Sequence, residues 1–256
     1  MLLVIDVGNT HMVMGVYDGD RLTENWRVHT QRHATADEFS VLARGLLAAG
    51  RIGLDDIHRT VISCVVPPVV SVLENFCRKY LKHAPIWIDP RSFTGIRILT
   101  HNPAEVGADR IVNAVGAYQK YRRSMVVIDF GTATTFDAIS PDGAYLGGAI
   151  SPGIMISAEA LFMKASKLPR VEIFQAPESV IGRDTQASIQ SGIIFGYAGM
   201  VDGMVRRMRK EMGGRPAVIA TGGLAPLMYQ VAETIEAVES SLTLEGLRFI
   251  SDSFND

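Results

Sequence analysis

Cysteine is nearly absent: Cys64 and Cys77 are the only two in 256 residues. Two thiols in a chain this long make no disulfide framework. Cys64 ends an apolar run and Cys77 falls in a helical pattern. Neither has a partner His or a paired Cys nearby, so both are expected reduced, at least partly buried and outside any metal site. An excess of one charge is missing too, with 25 Lys and Arg against 27 Asp and Glu, a formal net of −2. No basic field recruits nucleic acid or an acidic membrane, so neither is expected as a partner, and a small anion would have to find local donors. Nor does any apolar run approach the ~20 residues of a membrane span. The N-terminal apolar run is broken by Asp6 and follows no basic residues, unlike a signal peptide, so the cytoplasm is the expected location. What remains is an ordinary globular composition, 47% hydrophobic and 20% charged, long enough for one large domain or two modest ones.

The most informative stretch is Met125–Asp137, MVVIDFGTATTFD. Met125 to Ile128 read as a short buried strand that runs into Asp129. Gly131, Thr132, Thr134 and Thr135 then read as a tight turn rich in hydroxyls and backbone N–H groups. A carboxylate at a strand end faces a cation, and a Gly-Thr turn lets the backbone donate to phosphate oxygens. The same phrase opens the chain, where LLVIDVGNT places Asp6, Gly8, Asn9 and Thr10 after an apolar strand. One such turn is common. Two in equivalent contexts, each followed by a second strand-like run, point to two related halves sharing a paired phosphate site.

Taken in order, Leu2–Val7, His11–Tyr17 and Leu22–Val28 read as an antiparallel meander, with Asp18-Gly19-Asp20 as a hairpin turn. Thr35 and Glu38 form a capping box for a helix over Ala36–Ala49. A strand at Arg59–Val66, a helix from Pro68 to about Lys82 and a strand at Pro85–Ile88 complete a βββαβαβ order, a mixed sheet with helices on its faces. A further strand is possible at Gly95–Leu99. A helix over Ile111–Lys120 leaves Asp109 and Arg110 near its N-terminus, where an acidic residue either caps the helix or meets a ligand. The second half repeats the plan with strands at Met125–Phe130, Thr135–Ile139 and Ala144–Ile150 and a helix over Gly153–Lys167. Gly147, Gly148 and Gly153 serve either close packing or ligand contact. After a polar surface excursion, a long helix over Gln186–Glu211 carries Gly192, Gly196, Gly199 and Gly203 roughly on one side, which suggests close packing against another helix, of this chain or of another subunit. A strand at Ala217–Ala220 leads to Thr221-Gly222-Gly223, a turn that could approach a nucleotide. Helices over Pro226–Ile235 and Leu244–Asp252 finish the chain. The two halves are expected at 1–115 and 116–256.

The D-x-G-N-T start, GADR at 107–110 and DFGTATT at 129–135, together with SCVVPP, NPAEVGADRIVNA, GGAISPGIMISAEAL, KLPRVE and ATGGLA, resemble the type III pantothenate kinases over nearly the whole chain. These belong to the actin-like, sugar-kinase-like and Hsp70-like ATPase superfamily. The resemblance implies an α/β fold of two related actin-like (ribonuclease H-like) ATPase halves, mixed sheets flanked by helices, with a cleft between them. It implies ATP-dependent phosphorylation of pantothenate to 4′-phosphopantothenate, with ATP, Mg2+ and a monovalent cation (K+ or NH4+), in a homodimer whose site is completed at the subunit interface. Carried over by residue, Asp6, Val7, Gly8, Asn9, Thr10, His11, Met12 and Val13 form the first phosphate loop, and Asp6 also helps hold the magnesium nucleotide. Gly107, Ala108, Asp109 and Arg110 bind pantothenate, with Asp109 as catalytic base. Asp129 binds the monovalent cation and Thr132 an ATP phosphate. Thr185 contacts pantothenate from the partner subunit, and Thr221, Gly222 and Gly223 lie near the adenosine. Where many members carry a Tyr lining the pantothenate pocket, this chain has Thr100, which weakens the expected hold on that end of the substrate. His101 could compensate or stand as an exposed loop residue. Two rival readings are a non-catalytic ATP-binding regulator and another transferase or hydrolase of the superfamily, such as a sugar kinase or polyphosphatase. The intact Asp6, Asp109 and Asp129 argue against the first, and GADR argues against the second.

Overall fold

The computed structural model describes residues 1–91 and 95–254. The described residues fall into two compact units, one drawn from Met1–Arg97, His101–Lys120 and Leu242–Asp256, the other from Ile98–Thr100 and Tyr121–Ser241.

In the first unit β1 (Leu2–Val7), β2 (His11–Asp18) and β3 (Arg21–His29) form the expected antiparallel meander. Helix α1 (Ala36–Ala49) starts on a complete capping box: the Thr35 hydroxyl accepts from the Glu38 N–H at 3.2 Å, and the Glu38 carboxylate accepts from the Thr35 N–H at 2.7 Å. Strand β4 (Arg59–Cys64) lies parallel to β1, and α2 (Pro67–Phe76) continues through one wider turn to Leu81. Strand β5 (Ile86–Trp87) lies parallel to β4, and α3 (Ala108–Tyr121) follows. The sheet order is β3-β2-β1-β4-β5. Period-two alternation sends Leu3, Ile5 and Val7 into a core with Phe39, Leu47 and Phe76, and puts Leu2, Val4 and Asp6 on the other face.

The second unit repeats this topology. Strands β6 (Met125–Phe130), β7 (Ala133–Ile139) and β8 (Tyr145–Pro152) form a second meander. Helices α4 (Ile154–Lys164) and α5 (Thr185–Met212) follow. Strand β9 (Ala217–Thr221) is parallel to β6; α6 (Ala225–Tyr229) then leads to β10 (Ala237–Val238), parallel to β9. Read from the same end, β8-β7-β6-β9-β10 matches β3-β2-β1-β4-β5 in order and strand direction. Each sheet even has an irregularity between its second and third strands, at Val16/Tyr17 and Ala138/Ile139. Val126, Ile128 and Phe130 face a core with α5 residues Ile194, Val201 and Val205, so Met125, Val127 and Asp129 occupy the face that Leu2, Val4 and Asp6 occupy in the first unit.

The last helix, α7 (Leu242–Asp252), packs on β1, β2 and β4 of the first unit, so the units do not divide as 1–115 and 116–256. Glycine decides this. A Cβ on Gly116 of α3 would lie 2.7 Å from the Leu242 carbonyl oxygen, and one on Gly246 would overlap the Val112 carbonyl. Two helices meeting backbone to backbone leave no signature in hydrophobic periodicity.

Other boundaries shift for local reasons. The expected strand at Gly95–Leu99 reduces to one bridge, Ile98 to Tyr145. The expected helix over Pro226–Ile235 stops at Tyr229, because buried Asp202 of α5 draws the chain back, accepting from the N–H groups of Glu233 and Thr234 and the Thr234 hydroxyl. Nothing within the described chain lies within 4 Å of where a Cβ would sit on Gly192, Gly196 or Gly199, so they do not serve helix packing inside the chain. Both cysteines are free. Cys77 is fully buried, its thiol pushed up to about 12 chiefly by burial; Cys64 is half-buried and also raised, by burial and then by the nearby Asp6 charge.

Candidate active site

The first acidic loop belongs to the first unit. Asp6 is the penultimate residue of β1, in register with Val13 on β2 and Ser63 on β4. The strand then ends and the Gly8 N–H donates to the His11 carbonyl at 3.0 Å, closing a short loop that exposes Asn9 and Thr10. The segment after β3 braces this loop. The Thr30 N–H donates to Thr10 O at 3.0 Å, its hydroxyl donates to Gly8 O at 2.7 Å, and the Arg32 guanidinium donates to Asn9 Oδ1 at 3.1 Å. His11 stacks on His29 with ring centroids 5.1 Å apart, and its pKa is lowered, first by burial and then by the Arg27 and His29 charges. Val7 and Met12 bury their side chains in the core, so only their backbone is available to a ligand.

The second acidic loop, in the other unit, is one residue tighter. Asp129 is again penultimate in its strand, in register with Thr135 on β7 and Thr221 on β9. Only Gly131 and Thr132 separate the strands, and both are exposed. Thr134 and Thr135, expected in the turn, belong to β7: Thr134 is fully buried on the Phe130 face, and the Thr135 hydroxyl donates to Asp137 at 3.2 Å. The donor hydroxyl left exposed on the turn is that of Thr132. Gly153 fills the role of Thr30 here. It too follows the third strand of its meander, and its N–H donates to Thr132 O at 3.1 Å. A Cβ on Gly153 would overlap Thr132 O and lie 2.7 Å from Gly131 O, so this glycine serves packing against the loop. Gly222 closes the other side with φ +91°; a Cβ there would lie 2.5 Å from Asp129 Oδ1 and 2.7 Å from the Phe130 backbone.

Asp109 lies in the first turn of α3, one residue inside the helix rather than ahead of it. Its Oδ1 accepts from the Arg110 N–H at 2.9 Å, and the missing Cβ of Gly107 makes room, since a Cβ would come within 2.5 Å of that oxygen. Burial raises the Asp109 pKa above the ordinary carboxylate value, against the opposing Arg110 N–H and the Arg110 charge. A buried carboxylate with a perturbed pKa is of the kind found at reacting centres. Arg110 is half-buried beside it, and His101 is exposed. Thr100 falls in the second unit, packed near Gly147. Thr185 is the exposed first residue of α5, behind the Asp184 cap, and lines a surface groove with Leu161, Leu168, Arg183 and Ile193.

Sequence reasoning named both loops and Asp109 but missed Thr30, Arg32 and Ser63. The repeat could have found Thr30, since it stands after the third strand where Gly153 stands in the second copy.

Two copies of one five-stranded unit, each with an acid-glycine loop at the end of its central strand, define an actin-like fold of the kind sugar kinases and related ATPases carry. Among solved structures, the chain is similar to a Baf-family protein from Campylobacter jejuni described as a transcriptional activator (TM-score 0.62, 18% identity, 99% of this chain and 98% of that one). It is also similar to a Porphyromonas gingivalis protein described as an N-acetylglucosamine kinase (TM-score 0.55, 12% identity, 100% of both chains). These likenesses show the fold alone. A family model described as type III pantothenate kinase matches residues 2–207. Curated type III pantothenate kinases from Desulfatibacillum aliphaticivorans and Desulforapulum autotrophicum are 64% and 61% identical, over 98% of this chain and 98% and 97% of theirs. The chain belongs to the type III pantothenate kinase family.

Proposed function

We propose that the chain carries out its family's reaction, ATP-dependent phosphorylation of pantothenate to 4′-phosphopantothenate at the head of coenzyme A biosynthesis, with Asp109 as the base. The observation that carries this assignment is the Asp109 carboxylate itself, set in the first turn of α3 beside Arg110, its pKa raised by burial. Phosphoryl transfer asks a protein mainly to align groups and neutralise charge. The substrate hydroxyl loses its proton to Asp109 as its oxygen bonds to the γ-phosphorus, and the bond to the β-phosphate oxygen breaks to release ADP. Arg110, adjacent to the base, meets an anionic group of the substrates, the pantothenate carboxylate or a phosphate. Asn9, Thr10 and Thr132 are the exposed donors of the two loops and take the nucleotide phosphates. Gly222 and Gly223, which follow β9 beside the second loop, are the residues assigned to the adenosine.

Asp6 suits Mg2+, a hard cation bound through one or two carboxylates plus substrate phosphates; bound there it offsets phosphate charge. Asp129 is the carboxylate for the monovalent cation. The reading is tested by pantothenate-dependent ADP release with magnesium ATP in potassium and in sodium buffer. Release is expected to need both pantothenate and potassium, and Asp129→Ala should remove the potassium response. Release indifferent to pantothenate would sink the substrate assignment, and an unchanged potassium response in the variant would misplace the cation.

The same reading includes a cytoplasmic homodimer in which the groove at Thr185 is completed by the second copy. Among the described residues no helix is long and apolar enough to cross a membrane. The second unit exposes Met155, Ile156, Met163, Phe174 and Ile181, and the chain leaves Gly192, Gly196 and Gly199 of α5 uncovered, apolar surface that a second copy would bury. Sedimentation equilibrium is expected to show a dimer for the native chain. Met163→Glu with Ile181→Glu should weaken it at least about tenfold, because charges placed in an apolar interface are not repaid. A native monomer at all concentrations would remove the dimer from the reading.

A further inference from the structure

The two units differ at one hydroxyl beside the acidic residue of the central strand. In each sheet that residue is in register with a hydroxyl residue on the neighbouring parallel strand, Asp6 with Ser63 and Asp129 with Thr221. Residues paired this way point to the same face of a sheet. In the second unit the hydroxyl is used by the fold: Thr221 Oγ1 donates to the Glu239 carbonyl at 2.8 Å. In the first unit it is not. Ser63 is fully buried, and its Oγ has no hydrogen-bond partner among the described residues.

A buried hydroxyl without a partner destabilises the fold, and Ala at Ser63 would avoid that cost. Its neighbours exclude an accidental polar site in an apolar region. Asp6 flanks it on β1, and the Gly8-Asn9-Thr10 loop begins two residues further along that strand. Cys64, the next residue on β4, is near enough to feel the Asp6 charge.

We propose that Ser63 is a ligand-directed residue whose hydroxyl hydrogen-bonds the hydrated magnesium–phosphate group held at Asp6, while its counterpart Thr221 is structural. This rests on the reading of Asp6 as the magnesium-nucleotide residue and adds a second side chain to that site. The hydroxyl is unsatisfied in the free protein and gains its partner when the nucleotide binds, so it couples the end of β4 to occupancy of the first loop.

The test turns on opposite signs in the free and bound protein. Ser63→Ala is expected to raise the thermal midpoint of the ligand-free chain, since an unsatisfied hydroxyl is removed. It should weaken calorimetric binding of magnesium ADP about ten- to a hundredfold, the worth of one hydrogen bond to a charged group. Asp6→Asn, measured alongside, is expected to weaken the same binding more strongly, and the double variant should lose less than the sum, because both residues act on one group. Ser63→Ala that lowers the ligand-free midpoint would make the hydroxyl a structural donor, most simply to Asp6, and overturn the proposal. Unchanged magnesium ADP binding in Ser63→Ala, with Asp6→Asn impaired, would overturn it while leaving the reading of Asp6 intact. Unchanged binding in Asp6→Asn would remove that reading and the proposal with it.

Discussion

Asp109→Asn is expected to lose about 10²–10⁴-fold in turnover while ATP binding stays near the native value. The substitution keeps the size of the side chain and its acceptor for the Arg110 N–H, and removes the proposed proton acceptor. A carboxylate is a weak base toward an alcohol, but in a loose transition state the proton leaves late, so position counts for more than basicity. A stability change of opposite sign should accompany the loss. The folded-state pKa of Asp109 is raised, so between the unfolded and folded pKa values the native state binds more protons than the unfolded state. Stability therefore falls as pH rises through that window, and the full cost of the charged form is present above it. Asn imitates the protonated form. At neutral pH the variant should melt higher than the native chain, and the difference should vanish as pH drops below the ordinary carboxylate range. Single-turnover kinetics and melting curves from pH 3 to 8, at about one-unit steps across the carboxylate range, check both halves. Near-native turnover would remove Asp109 as base; a melting difference that persists in acid would mean that the ionisation of Asp109 is not its cause.

The second large effect is expected at Gly222→Ala. Two independent facts forbid a side chain there. The backbone sits at φ +91°, a region L-residues rarely adopt, and a Cβ would lie 2.5 Å from Asp129 Oδ1 and 2.7 Å from the Phe130 backbone. Asp129 and Phe130 end the central strand of a fully packed sheet, so the strand cannot yield and the Asp129 carboxylate must move. We expect a loss of about 2–3 kcal/mol of stability, and about 10²-fold in turnover if Asp129 holds the proposed cation and a displacement near 1 Å moves it. The distinguishing readout is the potassium activation curve, which should shift to higher concentration in the variant. A variant that is less stable but activated at the native potassium concentration would show that Gly222 shapes the fold and not the cation site.

Much of this protein was legible without its structure. The meander at the start, the capping box at Thr35, the two D-x-G loops and the helix start near Asp109 follow from local rules, where alternation, turn residues and caps act over a few positions. The repeat was legible for the same reason, because both copies keep the same short phrase. Errors fall where distant groups override local preference. Asp202 ends α6 early through hydrogen bonds to a segment about thirty residues away along the chain. Thr134 and Thr135 looked like turn hydroxyls by composition, yet strand pairing with Phe130 and Asp129 puts them in β7. Strand β10 is too short for any periodicity to mark it.

The amino-acid sequence by itself determined the family, the paired acidic loops and the identity of the candidate base, because each depends on residue types at short, fixed spacing. Tertiary structure alone decided three other matters. It returned α7 to the first unit through the backbone contacts of Gly116 and Gly246, and braced the loops from behind with Thr30 and Gly153. It also separated Ser63 from Thr221 by giving a hydrogen-bond partner to one and not the other. Close approach and hydrogen-bond satisfaction are properties of atoms brought together from distant positions, and a glycine or a serine looks the same in sequence whichever role its neighbours assign it.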